Sequence, residues 1–408
     1  MTTTTLKEQT ASGSVLGGML LVAGSCIGAG MLALPIVTGL AGFVPSLSMM
    51  LFSWALMTFT ALLLVEVSGW FSSQTNLISM VHQSLGKTGR WVCWLAYLFL
   101  FYSLLVAYIA ASGSVFSAIL AALFHLTIPA SGASLFFTAF FGYIVYLGTR
   151  PVDLLNRVFM VGLIVAYFGM IALGITHVKP ALLVRWAPQF LFTSLPFLVV
   201  SFGFQNMIPS LAAYVKGDLR RLRLTILGGS LITLFVYLLW SLLILGVVPF
   251  EGANGLFESC KRGEEATQAL HAALGSSAIT SLAQGFAFFA IVTSFIAQGL
   301  TLTHFLADGL KLSPTKKTVF FLCLLALIPP FIFALYDPSV FFKALSFAGG
   351  VCAMVLFGIL PVLMVWVGRY KKALASNYQV WGGKFSLVLA LAFSVFVIGC
   401  ELTRIFSS

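Results

Sequence analysis

The sequence predicts an all-α polytopic membrane protein with about eleven transmembrane helices. Three observations lead there. Of 408 residues, 60% are apolar and only 8% are charged, where soluble domains carry about 25% charged residues. Mean hydropathy is +1.06, so most of the surface must face something other than water. The apolar residues are also gathered into runs long enough to cross a bilayer, about 20 residues each, with short charged or turn-rich segments between them.

Taken in order, the runs place spans near 13–37, 42–66, 91–123, 132–149, 155–176, 189–215, 224–248, 278–306, 318–336, 340–367 and 385–405. Eleven is odd, so the two termini are expected on opposite sides. Residues 1–12 read as a polar cytoplasmic tail. They are too weakly basic for a signal peptide and no small-residue cleavage site follows, so the first span is expected to be retained. With the N-terminus in the cytoplasm, sixteen of the 22 Lys and Arg residues fall on that side and six on the other. Positive loops stay inside, which predicts N-in and C-out. The same asymmetry accounts for the net charge of +11 without nucleic acid, and makes the Lys216–Arg223 cluster a topology anchor. The six cysteines form no C-x-x-C pair, which argues against a metal or redox site.

Two segments between spans are informative. Phe250 to Ser277 carries Glu251, Glu258, Glu264 and Glu265 and is expected to form a solvated cap over the entrance. Asn76 to Leu85 is apolar at helical spacing and reads as an interfacial helix on the cytoplasmic face. Nothing resembles a separate soluble domain.

The first and sixth spans are interrupted. The first reads Gly24-Ser-Cys-Ile-Gly-Ala-Gly30 and then Met-Leu-Ala-Leu-Pro35. Each glycine weakens a helix by roughly 1 kcal/mol and proline removes a backbone bond. The sixth runs from Pro196 through Gly203 to Pro209, with Ser201, Gln205 and Asn206 beside the break. Unpaired backbone groups are not tolerated against lipid, so such breaks must line protein or a water-filled cavity. For the first alone, Gly24-x-x-x-Gly28 is equally a helix-association pattern. The pair says more. The breaks lie about 175 residues apart, as expected if five spans are repeated, and an odd repeat must be inverted. This predicts one repeat over 13–176, a second over 189–367 and an additional helix at 385–405. Paired interruptions in inverted halves point to the central site of a secondary transporter. Half-helix N-termini there suit a carboxylate, and the opposing carbonyls suit an ammonium group or a cation.

At these residues the sequence resembles the bacterial aromatic amino acid permeases. The resemblance covers nearly the whole chain and rests on the stretch at 24–35 and on Ser201-Phe-Gly-Phe-Gln-x-x-Ile-Pro-Ser210. It implies a LeuT-type fold of five-plus-five inverted repeats, with broken helices 1 and 6, in the bacterial inner membrane. It also implies uptake of an aromatic amino acid, tyrosine favoured over tryptophan, by proton symport with no cofactor. No nucleic acid and no obligate protein partner are expected; the membrane lipid and the substrate are the partners.

The resemblance further implies a site. Substrate amino and carboxyl groups would meet the backbone from Ser25 and Cys26 through Gly28 to Gly30, and from Leu198 to Ser201 and Gly203. Phe204 would flank the side-chain pocket and Gln298 would face it, with Tyr102 and Tyr108 offering aromatic faces. Gln298 and Gln205 are the amides that could bond a phenol or indole, since a buried amide needs partners. In sodium-coupled carriers of this fold a Thr-Ser pair on the eighth span holds an ion. Carried over, Thr293 and Ser294 with the carbonyls of Gly24 and Ile27 would form that pocket; alternatively the hydroxyls bond back to their own helix.

Intramembrane ionisable groups are functional candidates by default. Glu66 is a candidate for proton coupling, followed by His304, Asp308 and Lys343. All lie near an interface, where snorkelling or a salt bridge would equally explain them. An intramembrane enzyme is disfavoured: His304-x-x-x-Asp308 is ordinary i, i+4 spacing, and no G-x-S-x-G or P-loop appears. A channel would need a filter loop or charge ring that the chain lacks.

Overall fold

Eleven apolar runs have to hide their backbone polar groups in lipid, and they do so as helices. The computed structural model describes residues 13–71, 75–275, 278–312, 315–336 and 340–407, and among these there is no strand. Among the described residues ten helices are long and apolar enough to cross a membrane, and an eleventh span is a pair, Val15–Cys26 and Gly30–Gly39, bent by 62°. The second to fifth spans are Phe43–Ser68, Leu77–Phe124, Ala130–Leu147 and Thr149–Gly174. The sixth is Leu191–Ser201 followed by Ile208–Tyr214, and the seventh is Leu219–Val247. Ala278–Leu310, Lys316–Tyr336, Val340–Tyr370 and Gly383–Ser407 complete the set. Each expected span is present, with ends displaced by a few residues. The polar tail at 1–12 lies outside the described residues.

The expected helix at 76–85 is also present. Asn76 caps it, its side chain accepting the Ser79 N–H at 2.8 Å. Gly86, at φ 78°, then breaks the helix before the third span proper. That positive φ is a conformation glycine adopts without steric cost.

Burial sorts the spans. About two thirds of the seventh and tenth is buried inside the protein, against 28% of the fifth, ninth and eleventh. The more buried spans, the third, sixth and eighth among them, surround the interior, while the outer group turns leucine, phenylalanine and valine outward. The tenth span winds as a π-helix over Ala348–Ile359, where it passes the outer half of the sixth. A Cβ on Gly349 would lie 1.8 Å from the Pro196 carbonyl oxygen, so only glycine permits that crossing.

At the end of the molecule where the second span finishes, Glu66 and Arg369 form a buried ion pair. Arg369 Nε donates to Glu66 Oε1 at 2.6 Å and its Nη2 donates to Oε2 and to the Val380 carbonyl. The Val380 N–H donates to Glu66 Oε2 at 2.8 Å. Second span, tenth span and the segment beyond it are thereby pinned together. Arg369→Met should cost roughly 3–5 kcal/mol, because it leaves a buried carboxylate without its cation. In detergent melting, the double variant Glu66→Gln/Arg369→Met should melt above the single Arg369→Met.

The segment after the seventh span departs from the expected solvated cap. It folds into two short helices, Leu256–Arg262 and Ala266–Leu274, that bury Leu256, Ala266, Ala269 and Leu270. Leu256 packs on Gly39 of the first span's outer half, and Arg185 lies over the Phe250 ring at 3.2 Å. Its four glutamates suggest a solvated segment, yet its apolar residues fall on one side of each short helix and are buried. Glu258 and Glu264 pair with Lys261 and Arg262 at the surface. Glu265 is buried and caps the second helix, accepting the Thr267 N–H at 2.6 Å. Burial pushes its carboxyl up to about 7 from 4.5, against the opposing Thr267 hydrogen bonds. The folded cap thus holds a proton that the unfolded segment releases above pH 4.5. That stabilisation is complete below the ordinary glutamate range and is lost as pH rises through about 7. Protection factors over residues 256–274, with the intrinsic pH dependence of amide exchange divided out, should be higher at pH 5 than at pH 8, and Glu265→Gln should abolish that difference.

Candidate functional site: two helix breaks around one cavity

The first span's inner half ends at Cys26, where the Ile27 N–H makes its last α-helical bond to Ala23 at 2.8 Å. Its outer half restarts at Gly30 with tighter bonds, Met31 to Gly28 at 3.1 Å and Leu32 to Ala29 at 3.2 Å. A helix start leaves its first N–H groups without helical acceptors. One of these, the Ala29 N–H, donates to Ser294 Oγ of the eighth span at 3.0 Å. The sixth span's outer half ends at Ser201, with Phe202 and Phe204 non-helical and a 3-10 turn over Gln205–Met207. The two breaks face each other, so the N-terminus of one half-helix and the C-terminus of another converge.

Between them lies a small cavity, about 580 Å³ when the space at its open mouth is counted. The first break contributes Ser25, Cys26, Gly28, Ala29 and Gly30, and the sixth span Val200, Ser201, Gly203 and Asn206. Leu100, Phe101, Leu104 and Tyr108 of the third span, Ser294 and Gln298 of the eighth and Phe357 of the tenth close the walls. Tyr97 ties two of the wall rings together, its centroid 5.5 Å from Phe101 and 6.4 Å from Phe357. The Ser201 hydroxyl and the Asn206 carboxamide oxygen are buried there without a hydrogen-bond partner in the protein. Buried polar atoms are normally paired, so these two are placed to receive a ligand's donors.

The structure brings Ser25, Cys26, Gly28, Gly30, Ser201, Gly203, Gln298, Tyr108 and Ser294 to this cavity and leaves several sequence candidates elsewhere. Tyr102 donates to the Leu325 carbonyl at 2.8 Å on the ninth span. It lies one residue, hence about 100° of helix, from Phe101, so it cannot share the Phe101–Leu104–Tyr108 stripe. Leu198 and Phe204 are fully buried outside the cavity lining. Gln205 turns to the second span, its Nε2 donating to the Met57 carbonyl at 3.0 Å and to Thr60 at 3.3 Å. Gly24 faces Met160 of the fifth span, and Ile27 is half-buried outside the lining. Thr293 bonds back to Phe289 at 2.8 Å and Ala290 at 3.2 Å on its own helix. Glu66 is held by Arg369 and Val380, which favours the salt-bridge alternative. His304, Asp308 and Lys343 are exposed, away from the cavity.

Sequence reading passed over two residues of the seventh span. The Tyr237 hydroxyl lies 2.7 Å from the Cys26 carbonyl oxygen and 2.9 Å from that of Ser201. Trp240 Nε1 donates to the Met31 carbonyl at 3.0 Å. Both side chains are fully buried. A signal existed: a buried Tyr or Trp usually finds a partner for its polar tip, and these two sit one helical turn apart in an apolar span.

The glycine at the centre of the first break is held there by a contact. A Cβ on Gly28 would meet Ser294 Oγ at 2.5 Å, with Ser294 Cβ the next atom at 3.9 Å. Gly28→Ala should therefore destabilise by roughly 1–3 kcal/mol, the usual cost of overpacking. Adding Ser294→Ala removes the clashing oxygen, so the double variant should melt above Gly28→Ala in detergent.

This arrangement has close counterparts. The chain matches the Tryptophan/tyrosine permease family over residues 11–401. It is 35% identical to "Tyrosine-specific transport system 1" of Haemophilus influenzae over 390 residues, covering 94% of this chain and 95% of that one. It is 30% identical to the "Tryptophan-specific transport protein" of Shigella flexneri, covering 99% and 98%. Among solved structures, MhsT in complex with L-phenylalanine superposes with a TM-score of 0.64 at 16% identity, covering 96% of this chain and 99% of that one. That likeness concerns the fold, which is of the LeuT type with broken first and sixth spans. Two helix breaks around one small cavity, in a chain that matches from residue 11 to residue 401, make this protein a member of the tryptophan/tyrosine permease family.

Proposed function

We propose that the chain is a secondary transporter importing an aromatic amino acid, tyrosine favoured, by proton symport with alternating access. The observation that carries this is the cavity between the two breaks, polar at its helix ends and aromatic along its wall. The first span's outer half directs the positive end of its dipole into the cavity, where Gly28, Ala29 and Gly30 can receive a carboxylate. The sixth span's outer half directs its negative end, with Ser201, toward the ammonium group. The substrate ring would lie against Phe101 and Phe357, as rings prefer offset or edge contacts. Asn206 and Gln298 are the polar groups for a phenol hydroxyl. Tyrosine is favoured because the tyrosine-specific relative of Haemophilus influenzae, at 35% identity, exceeds the 30% of the tryptophan-specific one from Shigella flexneri.

Proton coupling follows from the resemblance to the aromatic amino acid permeases, and the hydroxyls of the eighth span bear on the sodium alternative. Thr293 is bonded to its own helix, and Ser294 accepts the Ala29 N–H. Each hydroxyl keeps a lone pair beside these bonds, so sodium stays the alternative that separate gradients distinguish. In this reading the inverted repeats are residues 13–176 and 189–367, with 385–405 outside them. The chain sits in a bacterial inner membrane with its N-terminus in the cytoplasm, as the sixteen-to-six distribution of basic residues supports. The cap and the end of the eleventh span share a face, since Cys260 lies near Arg404, as an odd number of crossings requires.

Uptake of labelled tyrosine into proteoliposomes, under a proton or a sodium gradient imposed separately, tests this. Accumulation is expected with protons alone, blocked by unlabelled aromatic amino acids. Accumulation only with sodium would overturn the coupling, and none with either gradient would overturn the substrate.

A further inference from the structure

The C-terminal ends of two half-helices, the inner half of the first span and the outer half of the sixth, meet at one point. Their last carbonyls, Cys26 and Ser201, both lie within 2.9 Å of a single oxygen, the Tyr237 hydroxyl. Each such end carries about half a negative charge, so two of them together need something positive between them. A bound cation is one solution at discontinuous helices. Here the phenol O–H stands at that place. It has one proton and faces two acceptors, so it bonds one carbonyl at a time or shares its proton between both.

We infer that Tyr237 is a positioning residue that couples the two broken helices, its hydroxyl taking the bridging place of a cation and passing its hydrogen bond between Cys26 and Ser201 as the half-helices move. The inference rests on the transport reading given above. Two further contacts support it. Trp240, one turn along, bonds the Met31 carbonyl of the first span's outer half, so the seventh span splints both sides of that break. The Phe202 ring packs on Tyr237 at 5.1 Å between centroids, which fixes the phenol against the sixth span's break. No bond is made or broken beyond the hydrogen bond; only the O–H rotates.

The experiment compares wild type, Tyr237→Phe and a variant with p-aminophenylalanine at position 237, each reconstituted at equal folded protein. Labelled tyrosine uptake is read as Vmax and KM under a proton gradient. Tyr237→Phe should lower Vmax at least 10-fold with KM changed less than 3-fold. The aromatic amine restores a donor in the same place and should return Vmax to within about 3-fold of wild type. The inference is overturned if Tyr237→Phe stays within 2-fold of wild type, if its loss lies in KM alone, or if the amine is no better than phenylalanine. Should Tyr237→Phe fail to fold, the amine variant decides alone. A wild type that takes up no tyrosine would instead sink the transport reading, independently of Tyr237.

Discussion

A polypeptide in lipid has to satisfy every backbone N–H and C=O from within, and this structure follows from how it does so where two helices stop halfway. Elsewhere most backbone groups are bonded within their own helix, with single exceptions such as the Leu325 carbonyl, which Pro329 cannot bond and to which Tyr102 donates. Around the two breaks helical bonds lapse and neighbouring spans supply replacements: Ser294 for the Ala29 N–H and Tyr237 for the Cys26 and Ser201 carbonyls, while Trp240 takes the Met31 carbonyl that Pro35 cannot bond. The eighth and seventh spans are central because the breaks require them there. The backbone groups these neighbours leave open are the ones proposed above to receive the substrate's charged ends.

The same pressure explains how the acidic residues are used. Among the described residues, three carboxylates are buried: Glu66, Glu265 and Glu401. Each is fully engaged. Glu66 is held by Arg369 and Val380, Glu265 caps a helix, and Glu401 accepts from Ser346 at 2.7 Å and from Arg404 at 2.7 Å. Glu401 packs on Gly350, where an added Cβ would sit 2.8 Å from its side chain, so the eleventh span docks on the π-helical part of the tenth. These groups lie toward the ends of the helix bundle, and the cavity is left to dipoles, hydroxyls and amides. A site built this way can select a net-neutral amino acid without burying an unpaired charge.

Much of this was legible in the sequence, because hydropathy and helix-breaking residues act locally. The eleven runs, the helix at 76–85 and both breaks emerged within a few residues of where the structure has them. The break residues also lie on the cavity, since a break that cannot face lipid must face inward. Tyr102, Gln205 and the overlooked Tyr237 show the limit. Whether a Tyr reaches a cavity or a neighbouring carbonyl depends on the rotation of its helix, and adjacent residues differ by about 100°. Position along an apolar run fixes depth but says little about direction when the helix is apolar all round.

Read along the chain alone, the residues settle that there are about eleven apolar spans, that the first and sixth are broken, and that the basic loops gather on one face. Those are consequences of composition and of glycine and proline, which act on their own stretch of backbone. Tertiary structure alone decided which side chains repair the breaks, that Thr293 turns back while Ser294 reaches across, and that Glu66 is spent on Arg369. It also folded the acidic segment after the seventh span onto the first. Ser294 and Ala29 are 265 residues apart and Glu66 and Arg369 303 apart, and helix packing, rather than local pattern, brings such groups to hydrogen-bond distance.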